Sequence, residues 1–132
     1  MTNPKQNDNT PQTYPCTDLG NMERFIDQHK DCIRSTSSGA VFEWTGNRWK
    51  PVSYADIFNL ARKTVLKIQS EARHAAAEAE ANDLRRWSLT SQSEAKIRSM
   101  INMACKHEDI QVRLSDFDKD RNRINCLNGI ID

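Results

Sequence analysis

Glycine, clustered cysteine and long apolar runs are what this chain of 132 residues lacks. Only 4 glycines occur, and no G-x-x-x-x-G-K-[ST] loop is among them. Backbone amides therefore have no loop with which to wrap the phosphates of a nucleoside triphosphate, and ATP hydrolysis by these residues is not expected. The 4 cysteines, Cys16, Cys32, Cys105 and Cys126, are far apart, with no C-x-x-C pair. Zinc-ligand spacing is absent, and free buried thiols are the expectation. His29, His74 and His107 are equally dispersed, and none has a serine, cysteine or carboxylate beside it in a nucleophilic arrangement. No apolar run approaches the ~20 residues that span a bilayer, and no charged-then-apolar leader opens the chain. A soluble, cytoplasmic protein with no membrane role is expected, and no pattern calls for a metal or cofactor.

The charge that is present is uneven. Residues 1 to 31 carry 3 basic and 5 acidic side chains (net −2), residues 32 to 107 carry 12 and 7 (+5), and residues 108 to 132 carry 4 and 6 (−2). The opening stretch holds Pro4, Pro11 and Pro15 among polar amides and has almost nothing apolar to bury. Residues 1–16 are read as a flexible arm and residues 17–132 as one domain.

The clearest local pattern is Val41-Phe-Glu-Trp-Thr-Gly-Asn-Arg-Trp-Lys50, where β-favouring residues flank a Gly46-Asn47 turn. That turn sets Trp44 opposite Trp49, with Phe42 on their face, and places Glu43 against Lys50 on the other face as an ion pair. The aromatic face suits either a lid on the hydrophobic core or a base-stacking platform, and the lid is the preferred reading. Cys32-Ile33-Arg34 supplies a third antiparallel strand.

Helical spacing accounts for most of the remainder. Asp18 caps a helix carrying Leu19, Met22, Phe25 and Ile26, which ends at His29. Ser53-Tyr-Ala-Asp56 is a capping box that opens a long helix with Ile57, Leu60, Ala61, Val65, Ile68 and Ala72 on one stripe. The Ala- and Glu-rich stretch from Glu71 to Asn82 continues it at high helix propensity, up to a break at Ser88 to Ser91. Ser91-Gln-Ser-Glu94 then caps an amphipathic helix bearing Ile97, Met100, Ile101 and Ala104, which pairs with the first. Ile110, Val112 and Leu114 alternate as a short strand, and Asn128-Gly129 turns between two apolar segments at the end of the chain. Asp116, Asp118, Asp120 and Asn122 imitate half of a calcium loop, but Arg121 and Leu127 occupy its glycine and glutamate positions. Capping by Ser115 or Asp116 is the simpler account. The fold class is α+β, predominantly helical, with a small antiparallel sheet.

The residues that remain as a candidate site are basic. Arg62, Lys63 and Lys67 lie between or opposite the apolar positions of the first long helix, and Arg48, Lys50, Arg73, Arg85 and Arg86 extend the surface. Such a face can bind a polyanion through phosphate contacts. It can equally be a solvated helix face in which Glu71 pairs with Lys67 one turn away.

Three segments carry a resemblance: Thr17-Asp-Leu-Gly-Asn-Met-Glu-Arg-Phe25 with His29 and Ile33-Arg34; Val41 to Trp49; and Asn125-Cys-Leu-Asn-Gly-Ile-Ile-Asp132. In this order and spacing they resemble phage and plasmid primase-helicases, a family related to the poxvirus-type helicase-primases. Lys30 stands where that family commonly has glycine, and Thr45 where it commonly has aspartate. The resemblance implies the domain immediately before a superfamily 3 helicase core, a core with Walker motifs that would begin beyond Asp132. It further implies a non-catalytic role in DNA replication, with DNA, the helicase core or other replication proteins as partners. The alternative is a protein-interaction or oligomerisation module, standalone or excised, in which the Ile130-Ile131 edge takes a partner strand or a second copy.

Overall fold

A computed structural model describes residues 14–113, together with residue 115. The element order is α1 (Asp18–His29), β1 (Ile33–Ser35), β2 (Val41–Trp44), β3 (Trp49–Val52), α2 (Tyr54–Leu66), α3 (Ile68–Arg73), α4 (Glu78–Thr90) and α5 (Glu94–Lys106). This is the α+β, mainly helical class expected, with a three-stranded antiparallel sheet in the order β1-β2-β3.

The hairpin forms in the expected register, with Trp44 opposite Trp49 and Glu43 opposite Lys50. Of the two turn residues only Gly46 takes a positive φ, at 107°, and no non-glycine residue among those described does so. Thr45 and Arg48 close the turn, Thr45 N–H donating to the Arg48 carbonyl at 2.9 Å. Which face meets the core differs from expectation. Ile33 pairs with Glu43 and Ser35 with Val41, so these residues share the face that also carries Val52. Ile33 belongs to the helical core, with Val41 and Val52 packed against it. Trp44, Trp49 and Phe42 lie on the opposite face, where Trp49 is nevertheless buried and the Arg34 guanidinium sits 5.3 Å from its ring centre. Ile33, Val41 and Val52 take the face that meets the helices, which leaves the second face to the tryptophans. Glu43 and Lys50 share a cross-strand position without an ion pair between them.

The main core joins α1, β1, α2 and α5 through Phe25, Ile26, Ile33, Ile57, Ala61, Val65, Ile97, Met100, Ile101, Ala104 and Ile110. Thr64 on α2 donates to Gln28 Oε1 on α1 at 2.8 Å, and Ser35 Oγ donates to the Cys105 carbonyl at 2.6 Å. The Ser53–Asp56 capping box is present at the start of α2. Thr17, rather than Asp18, caps α1, accepting from Gly20 N–H. Ser93, rather than Ser91, caps α5.

The long helix expected through residues 71–82 is instead interrupted. It turns at Lys67, ends after Arg73 and restarts at Glu78. Propensity favours continuation, but a straight helix would leave Ile68, Ala72, Ala81 and Leu84 without partners. Folding α4 back on α3 buries them together in a second cluster. Glu80 receives the Ala76 N–H at 3.3 Å, satisfying an end amide where the helix restarts. The next break falls later than expected, because α4 runs through the fully buried Ser88 to Thr90. The predicted strand at 110–114 is reduced to one parallel bridge, Gln111 to Ser35. Leu114, the acidic turn at 116–120 and the apolar segments at 124–132 lie outside the described residues.

Tyr14 and Pro15, assigned from sequence to the arm, are docked on α1. A Cβ on Gly20 would meet the Pro15 carbonyl oxygen at 2.0 Å, so only glycine permits that approach. The same carbonyl accepts from Arg24 Nη1 at 3.0 Å, and the Tyr14 hydroxyl donates to Asp27 at 2.6 Å.

Candidate nucleic-acid interface

α2 owes its basic face to the placement of its acids. Asp56 serves the N-terminal cap, and no other acidic residue follows in the helix. Ile57, Ala61, Thr64 and Val65 are buried, which leaves Lys63 and Lys67, one turn apart, on one exposed flank and Arg62 on the other. Lys63 also lies in the last turn, where the helix dipole favours a cation. Arg48 and Lys50 are exposed on the hairpin, and Arg73 is exposed at the end of α3. Among the described residues, no carboxylate lies within ion-pair distance of Arg48, Lys50, Arg62, Lys63, Lys67 or Arg73.

Arg85 and Arg86 are a different case. They belong to α4 and face its own acids: Arg85 bonds Asn82 at 2.6 Å with Glu78 at 3.7 Å, and Arg86 bonds Asp83 at 3.3 Å. The structure does not join them to the unpaired group. Two further cations are also paired, Arg98 with Glu94 on its own helix and Lys96 with Asp18 of α1. The Lys67–Glu71 pair of the alternative, solvated-face reading is absent, and Glu71 is held by Arg24 instead.

Sequence reasoning missed a buried polar node. Arg24, 1% exposed, reaches Glu71, the carbonyls of Tyr14 and Pro15, and Asn21 Oδ1. Asn21 in turn accepts from Trp87 Nε1 at 2.9 Å and donates to Ser91 Oγ at 3.0 Å. One cluster thus ties α1, α3, α4 and the α4–α5 corner together. The available signal was position: Asn21 and Arg24 fall on the same side of α1 as Phe25, where polar residues are buried only with partners.

His29 stacks on Phe25 with ring centres 4.6 Å apart, and its Nε2 is buried without a hydrogen-bond partner. Burial, with the positive charge of Lys67 adding to it, pushes the His29 pKa down. Cys16, Cys32 and Cys105 are free and half-buried rather than fully buried, and burial raises each thiol's pKa. Such thiols make poor nucleophiles. Among the described residues no group of His, Cys, Asp and Glu is arranged to hold a metal ion, and no helix is long and apolar enough to cross a membrane.

Fold and charge together define a helix-rich α+β module with an unpaired basic helix face. The family model described as "D5 N terminal like" matches residues 22–132, and the chain belongs to that family, the N-terminal domain of D5-type primase-helicases of phages, plasmids and poxviruses. The match covers Arg24, the hairpin and the basic helix, and it makes the chain a DNA-replication domain of primase-helicases that is not itself the helicase core. Comparisons with curated proteins and with solved structures return no match.

Proposed function

We propose that this domain is a non-catalytic, cytoplasmic accessory module of a primase-helicase that contacts DNA through the exposed cations of α2 and the hairpin. The observation that carries this reading is the pairing pattern. Arg24 on α1, Arg85 and Arg86 on α4, and Lys96 and Arg98 on α5 have acidic partners, whereas Arg62 and Lys63 on α2, Lys67 just after it, and Arg48 and Lys50 on the hairpin have none among the described residues. A merely solvated helix face is usually laced with opposite charges one turn apart. Phosphates supply the missing anions, each contact releasing counterions and steepening the salt dependence of binding.

Fluorescence anisotropy with single-stranded and duplex DNA at low salt tests the proposal. Binding that weakens with salt is expected, and Arg62→Glu/Lys63→Glu/Lys67→Glu should lower affinity and flatten the salt slope. Arg85→Glu/Arg86→Glu, which removes cations already paired, should do much less. No binding at tens of micromolar would defeat the reading, and an unchanged salt slope in the triple variant would move the site elsewhere.

A further inference from the structure

Arg34, Phe42, Trp44, Trp49 and Pro51 occupy the strand positions on the sheet face turned away from the helical core. They comprise aromatic rings, a proline ring and a guanidinium, with no aliphatic and no acidic side chain. Ile33, Val41 and Val52 all lie on the core side, and so does Glu43, the sole carboxylate of the three strands. A sheet face that only had to be wetted would carry polar residues in alternation with the buried ones. Trp44 instead leans on Trp49, with ring centres 5.3 Å apart and planes tilted by 57°, and remains half-buried. Trp49 beneath it is buried, and the Arg34 guanidinium lies 5.3 Å from its ring centre. Arg34 Nη1 donates to the carbonyls of Lys30 and Ile33, which fixes the group over the ring without neutralising it.

The charge of this face restricts its occupant. Arg34 has no carboxylate within ion-pair distance among the described residues, and neither has the exposed Arg48 at the hairpin tip. Tryptophan and arginine also mark the hot spots of protein interfaces. A protein partner, however, would have to bring a separate carboxylate to each arginine. A nucleic-acid strand carries an anion with every aromatic base, so it satisfies ring and guanidinium together. A duplex keeps its base faces stacked inside and would offer a flat sheet only its phosphates, which leaves the rings unmatched. The face therefore fits a single strand.

We infer that this face is a stacking platform for single-stranded DNA, in which Trp44 takes a base, Trp49 is its buried support, and Arg34 and Arg48 contact the flanking phosphates. The inference rests on the DNA-binding reading given above and adds to it the form of the nucleic acid and a second contact surface. Stacking is tolerant of sequence, because every base has a π-face, so the platform selects strandedness rather than base identity.

A fluorescein-labelled oligothymidylate and a labelled duplex of the same length, titrated with the full chain at low salt, test it by anisotropy, with tryptophan emission followed on unlabelled strands. The single strand should bind at least about tenfold more tightly than the duplex and should quench the emission. Trp44→Leu, which keeps apolar bulk but removes the ring, should weaken the single strand about tenfold, remove most of the quenching and leave the duplex unchanged, with folding checked by thermal melts. Trp44→Phe should restore most of the lost affinity. Arg48→Gln, at the exposed tip, should reduce the single-strand salt slope by about 0.7, the share of one phosphate contact. Equal affinity for the two forms, single-strand binding without a change in emission, or indifference to Trp44→Leu would overturn the inference while DNA binding through α2 stood. No binding of either form would defeat both. A concentration-dependent dimer in light scattering, abolished by Trp44→Leu, would give the face to a second copy and overturn the inference as well.

Discussion

Arg24 and Glu71, 47 positions apart, meet through two hydrogen bonds in one bidentate pair, Nε to Oε2 at 2.7 Å and Nη2 to Oε1 at 2.9 Å. The fork geometry suits a guanidinium and a carboxylate, and a lysine in place of Arg24 would not reproduce it. Because Arg24 also binds the carbonyls of residues 14 and 15, this pair holds the entry to the domain and the α3–α4 cluster on α1 at the same time.

Removing one partner of this pair strands the other. Glu71→Gln should lower unfolding free energy by about 3 kcal/mol, the low end for breaking a buried ion pair, since Glu71 retains some exposure. Arg24→Lys should be damaging too, despite keeping the charge. Urea titrations followed by circular dichroism measure both. A loss within 0.5 kcal/mol, about that of an ordinary surface substitution, would mean that the pair is dispensable.

Gly20→Ala addresses the same junction from the backbone. Its Cβ would collide with the Pro15 carbonyl, so residues 14 and 15 must lift away or α1 must shift, at a cost of about 1–3 kcal/mol. Tyr14 reports which occurs. Burial, followed by its bond to Asp27, pushes the Tyr14 hydroxyl pKa well above the ordinary 10.0. The stabilisation linked to the neutral phenol is complete below pH 10 and is lost as pH climbs through the raised folded value. Ultraviolet titration should show one tyrosine ionising late in the wild type and near its ordinary pH in Gly20→Ala.

The hairpin, its register, the Ser53 capping box and the main apolar stripes were legible in the sequence, because each depends on residues close together along the chain. What was not legible depends on distant partners. Nothing local to Glu71 says that it will abandon Lys67 for Arg24, and nothing in the alanine-rich stretch says that Leu84 will fold back on Ile68. The sheet face was misassigned for a related reason: alternation shows that Trp44 and Trp49 share a side, but which side meets the helices is decided by the partners of Ile33 and Val52. For the candidate site, the cations of α2 were legible along the chain, whereas the pairing that sets Arg85 and Arg86 apart depends on how their side chains meet Asn82, Glu78 and Asp83 along α4.

The two tryptophans of the hairpin should respond unequally. Trp49 is buried beneath Arg34, whereas Trp44 is half-buried, with its ring centre 5.3 Å from that of Trp49. Trp49→Ala should cost about 3–5 kcal/mol, the range for truncating a buried aromatic, and Trp44→Ala clearly less. Chemical denaturation of both variants checks the order. Equal losses would show that the two rings act as one packed unit. A stable Trp49→Ala variant that had lost only DNA binding would instead make Trp49 a stacking ring in its own right.

His29 gives the domain an acid-sensitive point. Its folded pKa lies below the ordinary 6.5, chiefly through burial and secondarily through Lys67, so the unfolded chain takes up the proton first. Stability associated with the neutral ring is therefore complete above pH 6.5 and declines as pH falls through the lower folded value. Nε2 has no hydrogen-bond partner to lose, and the ring already stacks on Phe25, so phenylalanine is a suitable replacement. His29→Phe should match the wild type near pH 8 and exceed it near pH 5, flattening the acid limb of a stability profile built from urea midpoints. A variant whose profile keeps the same acid slope would show that the proton uptake responsible lies at another group.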